Sequence, residues 1–244
     1  MPPGRIDYTH GVISAILVSY RSASLARVAI ESLRRESSRD GLQLEVVVVV
    51  NSGDPAEADV LRDVAEVVLS PERNLGFAGG LNAGIHVGRG DSFLLANPDL
   101  LFLPGSLARL HEAVLGPDLV AAGPAFYWDE NEAIFHPPAE EPRPFDLRRR
   151  QLARRDIASA EGLFQRERRR VQTASCAAVR GENRTVSALR GALVAVSRRT
   201  LEAAGLFDES YALYYEENDW QHRFRAAVVG WRREGQIKQA RFWR

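Results

Sequence analysis

Apolar residues fall into short unbroken runs separated by stretches of helical periodicity, and the runs come in a regular order along the first half of the chain. "GVISAILVSY" is the first, a continuous run of the kind a strand shows when helices cover both its faces. In "SASLARVAIESLRRE", Leu25, Val28, Ala29, Ser32 and Leu33 recur at helical spacing behind a serine able to cap. A second strand is expected at "LEVVVVVN", Leu44 to Asn51, breaking at the turn "NSGDP". A helix through Leu61, a short strand "AEVVLS", a glycine-rich turn opening into a helix at "RNLGFAGGLNAGIHVG" and a fourth strand, "DSFLLANPDLLF", ending at Pro98, complete the series. The alternation predicts an α/β fold with a mostly parallel, twisted sheet flanked by helices. Such sheets bind ligands at the carboxyl ends of their strands, which directs attention to Ser19 and Tyr20, to Asn51 to Asp54, and to Asn97 to Asp99.

The pattern changes between Tyr127 and Glu182. Prolines cluster at Pro137, Pro138, Pro142 and Pro144, followed by Arg148, Arg149, Arg150, Arg154, Arg155, Arg166, Arg168, Arg169 and Arg170, with few apolar residues among them. A long flexible Pro/Arg-rich excursion with one amphipathic helix is expected there. Order returns in "VSALRGALVAVSRRTLEAAGLFDE" as a strand, a helix capped near Ser197 and a glycine stop at Gly205. A last helix is expected from about Glu217, with Trp220, Phe224 and Val228 as its buried stripe and Asp219–Arg223 as an i,i+4 pair.

Composition narrows the class. The 244 residues (27.1 kDa) suit one large domain. Lys+Arg and Asp+Glu both total 32, so whole-chain charge gives no argument for nucleic acid, and none is expected as a partner. The single cysteine, Cys176, forms no internal disulfide and suits a reducing compartment. The run Val12 to Val18 is too short to span a bilayer and lacks the flanks of a signal peptide. The expectation is a soluble, cytoplasmic protein, with peripheral contact to the inner face of the plasma membrane through its arginines as the variant of that reading.

Three stretches carry candidate chemistry. "LLANPDL" sets Asp99 just past a strand end, where one carboxylate can hold a hard cation such as Mg²⁺ or Mn²⁺, although Asn-Pro-Asp is also ordinary turn chemistry. Gly76, Gly79, Gly80 and Gly84 in "NLGFAGGLNAGI" suit either backbone approach to a phosphate or close helix-to-sheet packing; the spacing is neither the Rossmann fingerprint nor a P-loop. "YYEENDWQHRF" packs Glu216, Glu217 and Asp219 into one turn, more acid than the helix dipole rewards, and such crowding can hold a carboxylate near the pKa of a general base. The five histidines, His10, His86, His111, His136 and His222, show no metal spacing, and only His222, one turn after the acids, draws functional interest. No Gly-x-Ser-x-Gly elbow exists and Cys176 has no adjacent base, so covalent catalysis lacks support.

Taken in order, "SAILVSYRSASLARVAIESL", "RNLGFAGGLNAGI", "LLANPDLLFLPGSL" and "RGALVAVSRRTLEAAGLFDESYALYYEENDWQHRFRAA" resemble the family 2 nucleotide-sugar glycosyltransferases, especially the bacterial rhamnosyltransferase-like branch. The resemblance implies a single GT-A domain over 1–244, with a nucleotide-binding half (11–126), a variable acceptor-side excursion (127–186), an acceptor and catalytic segment (187–230) and an atypical tail (231–244). It also implies inversion at the anomeric carbon, a dTDP- or UDP-sugar donor, and a glycan or polyprenyl-linked acceptor in cell-envelope polysaccharide synthesis. It implies that Asp99 plays the metal-holding role, that Glu217 is the base with Glu216 and Asp219 beside it, and that Ser19, Tyr20, Asn51, Arg73, Asn74, Gly76, Asn82 and Asn97 line the nucleotide-sugar site. Three departures stand out. Val50 replaces the aspartate common at the end of the second strand, which would leave base reading to Asn51; Glu217 replaces a shorter aspartate; and "WRREGQIKQARFWR" is polar where the family usually continues with an apolar strand. A sugar nucleotidyltransferase and a degenerate, non-catalytic nucleotide-sugar-binding module are the alternatives. "VSYRSAS" is a poor version of the basic, glycine-rich loop a nucleotidyltransferase needs after its first strand.

Overall fold

The computed structural model describes residues 11–116, 118, 120–129, 131, 134–136, 161–162, 165–166, 168–169, 172–173, 184–186, 188–211, 214–233 and 241–243. The unbroken apolar runs become strands β1 (Val12–Ser19) and β2 (Gln43–Val50), followed by β3 (Val67–Leu69), β4 (Ser92–Ala96) and β5 (Ala121–Pro124). Helices α1 (Ala23–Asp40), α2 (Pro55–Leu61), α3 (Gly76–Val87) and α4 (Ser106–Val114) alternate with them. A two-stranded hairpin of β6 (Phe126–Tyr127) and β7 (Phe135–His136) comes next. Then follow β8 (Arg184–Thr185), β9 (Leu193–Ser197), α5 (Arg198–Ala204), α6 (Glu216–Arg233) and β10 (Arg241–Trp243).

The main sheet has the order β3-β2-β1-β4-β9-β5-β10-β8. β1 pairs in parallel with β2, from Val12 opposite Gln43 to Ser19 opposite Val50, and with β4 on its other side, from Ile13 opposite Ser92 to Leu17 opposite Ala96. β9 enters antiparallel between β4 and β5, so the sheet is mixed but mostly parallel. The chain leaves β1 for β2 on one side and reaches β4 on the other, which opens a crevice beyond the carboxyl end of β1 where ligands of such sheets bind. The polar tail that departs from the family pattern contributes β10, paired in parallel with β5.

Both faces of the sheet are covered, and that accounts for the unbroken runs. Ile13, Ala15 and Leu17 of β1 pack with α1, α2 and α4, whereas Ile16 and Val18 pack with α3, α5 and α6. The expected apolar face of α1 is only partly right: Ala29, Ser32 and Leu33 are buried, but Leu25 and Val28 are 53% and 52% exposed. The buried stripe runs through Ala26, Ala29, Ile30 and Leu33, because the two alanines let the helix lie close to the sheet and turn the bulkier Leu25 and Val28 outward. Ser22 stands at the start of α1 without capping it; its hydroxyl instead meets Ser19 Oγ at 3.0 Å and the Tyr20 amide at 3.3 Å. Ser197 caps α5 through the Thr200 amide, and Gly205 ends it at a positive φ of 77°, both as expected. Of the helix expected in the excursion, residues 161–162, 165–166, 168–169 and 172–173 are described and are helical; the proline cluster, most of the arginines, Cys176 and the side chain of Val228 lie outside the described residues.

Candidate active site

The carboxyl ends of β1 and β2 are held together by one buried carboxylate. Glu57 in the first turn of α2 accepts from Ser19 Oγ at 2.5 Å, from the Ser22 amide at 2.9 Å, from the Arg21 amide at 3.0 Å and from Ser52 Oγ. Burial pushes its pKa up, but the hydroxyls of Ser19 and Ser52 and the amides of Ser22 and Arg21 outweigh it, so Glu57 titrates below the usual carboxylate range. The loop it organises carries Arg21 at φ 55° and presents Tyr20, 51% exposed, with the Arg21 guanidinium 5.5 Å from the ring centre. Sequence reasoning passed over Glu57. The available signal was Asp54-Pro55-Ala56-Glu57, an acid three residues after an N-cap; Asp54 does cap the Ala56 amide, while Glu57 reaches across to β1.

Asn51 is buried, and its side chain clamps the turn before α3: Nδ2 donates to the Gly76 carbonyl and Oδ1 accepts from the Leu75 amide, both at 2.8 Å. Asn74 closes the same turn by accepting from the Gly76 amide at 2.8 Å, and Gly76 sits at φ 71°, where a side chain is strained. Arg73 and Asn74 project into solvent beside it. The later glycines divide the two readings left open by the sequence. A Cβ on Gly80 would lie 2.8 Å from Val18 Cγ1, and one on Gly84 would overlap Ile16 Cγ2, so these residues let α3 lie directly on β1. Asn82 is buried and turned away from the turn: it donates to the Phe207 carbonyl at 2.9 Å and to Glu209 Oε1 at 2.8 Å, and accepts from the Phe207 amide at 3.0 Å. Its hydrogen bonds tie α3 to the segment before α6, through Glu209, another residue the sequence did not single out.

On the other side of β1, β4 ends at Ala96 and leads into the Asn97-Pro98-Asp99 turn with Asp99 exposed. The Asn97 amide donates to the Ala192 carbonyl at 2.8 Å. Ala192 follows Gly191, whose missing side chain makes room for Glu217: a Cβ there would stand 3.0 Å from Glu217 Cγ and 3.2 Å from Cδ. The strand end carrying Asp99 and the helix start carrying Glu217 therefore meet through residues 191–192.

Two anchors fix α6 in place. Gln221 is buried; its Oε1 accepts from the Leu189 amide at 2.6 Å and its Nε2 donates to the Leu189 carbonyl at 3.0 Å. Trp220 lies between Phe207 and Phe224, with ring centres 5.5 and 5.6 Å away, and donates from Nε1 to the Gly205 carbonyl at 2.8 Å. The helix start itself is strained: Tyr214 and Tyr215 have φ of 65° and 73°, and the Tyr215 carbonyl accepts from the Asp219 amide.

The three acids of this turn have different surroundings. Asp219 accepts from Arg223 Nε at 2.9 Å, the expected i,i+4 pair, and Arg223 also donates to the Ala204 carbonyl. Glu216 is buried, and one of its oxygens has no partner among the described residues. Burial raises its pKa, its own backbone amide opposes this, and the charge of Glu217 raises it further. Glu217 is half-buried and also carries a buried, unpartnered oxygen. His222 is exposed.

Among the described residues no group of three or more His, Cys, Asp or Glu side chains could hold a metal by itself. Asp99 is a single exposed carboxylate that no described residue engages, a donor set that fits a hard cation completing its shell with phosphate and water, and not a protein-caged metal. No helix among the described residues is long and apolar enough to cross a membrane.

A mixed, mostly parallel sheet with this rim defines a GT-A glycosyltransferase fold, and comparison with known proteins agrees. Residues 14–171 match the family described as glycosyl transferase family 2. The chain belongs to that family. It is 25% identical over 111 residues to the uncharacterized glycosyltransferase YwdF of Bacillus subtilis (strain 168), an alignment covering 44% of this chain and 40% of that protein. Among solved structures it resembles the mannosyltransferase PcManGT from Pyrobaculum calidifontis, in complex with GDP-Man and Mn²⁺, at 16% identity and a TM-score of 0.52, over 95% of this chain and 67% of the other. It also resembles GalNAc-T7 with UDP, GalNAc and Mn²⁺, at 15% identity and a TM-score of 0.61, over 96% of this chain and 42% of that one.

Proposed function

We propose that this chain transfers a sugar, with inversion, from a nucleoside-diphosphate donor to a hydroxyl group of a glycan or lipid-linked acceptor. The observation that carries the reading is the seat of Glu217 against Gly191, one residue from the carbonyl that binds the Asn97 amide, at the crevice beyond β1 and β4. In this scheme the β1 and β2 loops and the turn before α3 receive the nucleotide, with Ser19, Tyr20, Asn51, Arg73, Asn74 and Gly76 as its surroundings. Asn82 acts by holding α3 to the segment before α6. Asn97 fixes the strand end, and Asp99 would hold a Mg²⁺ or Mn²⁺ ion. Such an ion, when bound, supplies countercharge to the diphosphate.

Glu217 takes the proton of the acceptor hydroxyl as its oxygen attacks the anomeric carbon. The bond from that carbon to the diphosphate breaks, and the electron pair leaves with the diphosphate. Burial biases Glu216 toward its protonated form, which lessens the negative charge of the turn, and the Arg223 pair offsets that of Asp219. The relatives solved with GDP-Man or UDP and with Mn²⁺ support a nucleotide donor and a divalent cation. A dTDP- or UDP-sugar, rhamnose as the sugar, a cell-envelope product and membrane contact through the arginine-rich segment are the finer form of the proposal.

The test is a thermal-shift series with UDP, dTDP and GDP, each with and without Mn²⁺, since a specific ligand raises the melting temperature by mass action. Metal-dependent stabilisation that is lost in Asp99→Ala supports the assignment. Donor turnover lost in Glu217→Gln with nucleotide binding kept supports the base. Nucleotide binding by a wild type that turns over no donor points instead to a binding module, and no nucleotide binding at all sinks the reading.

A further inference from the structure

The β6–β7 hairpin carries chemistry that neither the donor site nor the core uses. β5 and β4 are both antiparallel to β9, so β5 ends on the same rim as β4, and the hairpin leaves from that rim. Trp128, just after β6, is 69% exposed, yet its ring lies flat on His136, with centres 4.4 Å apart and planes 18° from parallel. Its amide bonds the Ile134 carbonyl at 2.9 Å, and the Ile134 amide is held by Asp129 Oδ1 at 2.6 Å. One face of the indole is thus backed by an imidazole, in a hairpin braced by the Tyr127–Phe135 edge contact.

The hairpin leaves the rim on which β9 begins. Burial lowers the pKa of His136 and the charge of nearby Arg190 lowers it further, and Arg190 precedes Gly191, on which Glu217 rests. In the sheet order, β4 with its Asp99 turn separates the β1 and β2 loops on one side from β9 and β5 on the other. A donor nucleotide on the β1–β2 side leaves the β5 side to the acceptor. A planar aromatic surface held in one orientation presents its electron-rich face to the aligned C–H bonds of a sugar ring.

We propose that the open face of Trp128, backed by His136, is the platform on which a pyranose ring of the acceptor lies beside Glu217. This rests on the glycosyltransferase reading above and adds to it a residue class and a place for the acceptor. A lipid surface is the rival occupant of an exposed tryptophan. The flat stack on His136 favours a sugar, because an interfacial anchor gains from depth and not from a preset ring plane.

The probes are the methyl glycosides of glucose, galactose, mannose and rhamnose, added to the full chain with UDP and Mn²⁺ and followed by saturation-transfer NMR. The expected result is transfer concentrated on the C–H protons of one ring face for at least one glycoside. Its affinity should fall about two- to tenfold in Trp128→Ala and recover in Trp128→Phe, with melting temperature and UDP affinity unchanged. His136→Ala, which frees the indole, should give an intermediate loss. No transfer to any glycoside, or transfer indifferent to Trp128, overturns the proposal. So does a result in which Trp128→Ala weakens only binding to vesicles of equal parts phosphatidylglycerol and phosphatidylethanolamine. Failure of UDP, dTDP and GDP alike to bind with Mn²⁺ defeats the donor reading instead, and the two failures are read from separate signals.

Discussion

Glu45 and Glu216 are the same residue type, each 4% exposed, at different places on the molecule, and they titrate in opposite directions. Glu45 lies near the amino ends of the strands, in β2. Its carboxylate accepts from Ser14 Oγ at 2.5 Å and from the amide and Nε of Arg89, both at 2.7 Å, while the Gly90 amide donates to Ser14 Oγ behind it. Burial raises its pKa, but those donors overcome the effect and the net shift is downward. Glu216, at the start of α6, has an oxygen with no partner among the described residues, and burial prevails. Glu45 is thus a buried charge that is fully satisfied. Glu216 is left incompletely bonded beside Glu217, which carries a second unpartnered oxygen, and under the proposed function that polar capacity serves the chemistry.

The sharpest way to break that contrast is to remove the proposed base. Glu217→Gln keeps size and burial but cannot accept a proton, so transfer should fall by about 10²–10⁴-fold while the melting temperature stays near wild type, measured by steady-state kinetics and thermal melting. A stability loss as large as the activity loss would make Glu217 a structural residue and erase the distinction. At the amino-end rim the opposite pattern is expected. Glu45→Ala strands the Ser14 hydroxyl and the Arg89 amide, and should cost about 2–4 kcal/mol in denaturant unfolding while any nucleotide-induced thermal shift survives. Because the folded pKa of Glu45 is lowered, its contribution is present above the ordinary carboxylate value and is lost as pH falls through the folded value.

What the sequence made legible follows the same division. Strands β1, β2, β4 and β9 were readable because burial on both faces leaves few polar residues to interrupt them, and the ends of α5 because Ser197 and Gly205 act locally. The face of α1 was set wrongly at Leu25 and Val28, since an apolar side chain on the outward side looks the same in a periodicity count as one on the inward side. Several residues that build the site were not singled out, Glu57, Glu209 and Gln221 among them. Glu57 bonds Ser19 from 38 positions away and Gln221 bonds Leu189 from 32, and neither partner lies within the reach of a local motif. The α3 glycines looked equally suited to phosphate and to packing, and only the contacts of Gly80 with Val18 and of Gly84 with Ile16 separate the two.

A smaller effect probes the seat and not the base. Gly191→Ala places a methyl group 3.0 Å from Glu217 Cγ, tighter than ordinary contact, so Glu217 must shift by a few tenths of an ångström. Misplacement on that scale should lower the transfer rate by about tenfold, chiefly in kcat, with less than about 1 kcal/mol lost in stability. An unchanged rate would mean that the register between the 191–192 loop and α6 is not what positions the base.

The smallest expected effect is the most direct test of the unsatisfied carboxyl. The folded pKa of Glu216 is raised, so its protonated form is favoured in the folded state below the ordinary carboxylate value, and that benefit is lost as pH rises through the folded value. Glu216→Gln is neutral at every pH and mimics the protonated form. It should therefore be more stable than wild type above neutrality, and the difference should shrink as the solution is acidified through the folded value and towards the ordinary carboxylate value. Denaturant unfolding of both proteins, followed from above neutrality to below the ordinary carboxylate value, reads this directly. Two curves that run parallel over the whole range would show that burial leaves Glu216 as much a charge as Glu45, and the contrast between the two rims would then lie in their hydrogen bonds alone.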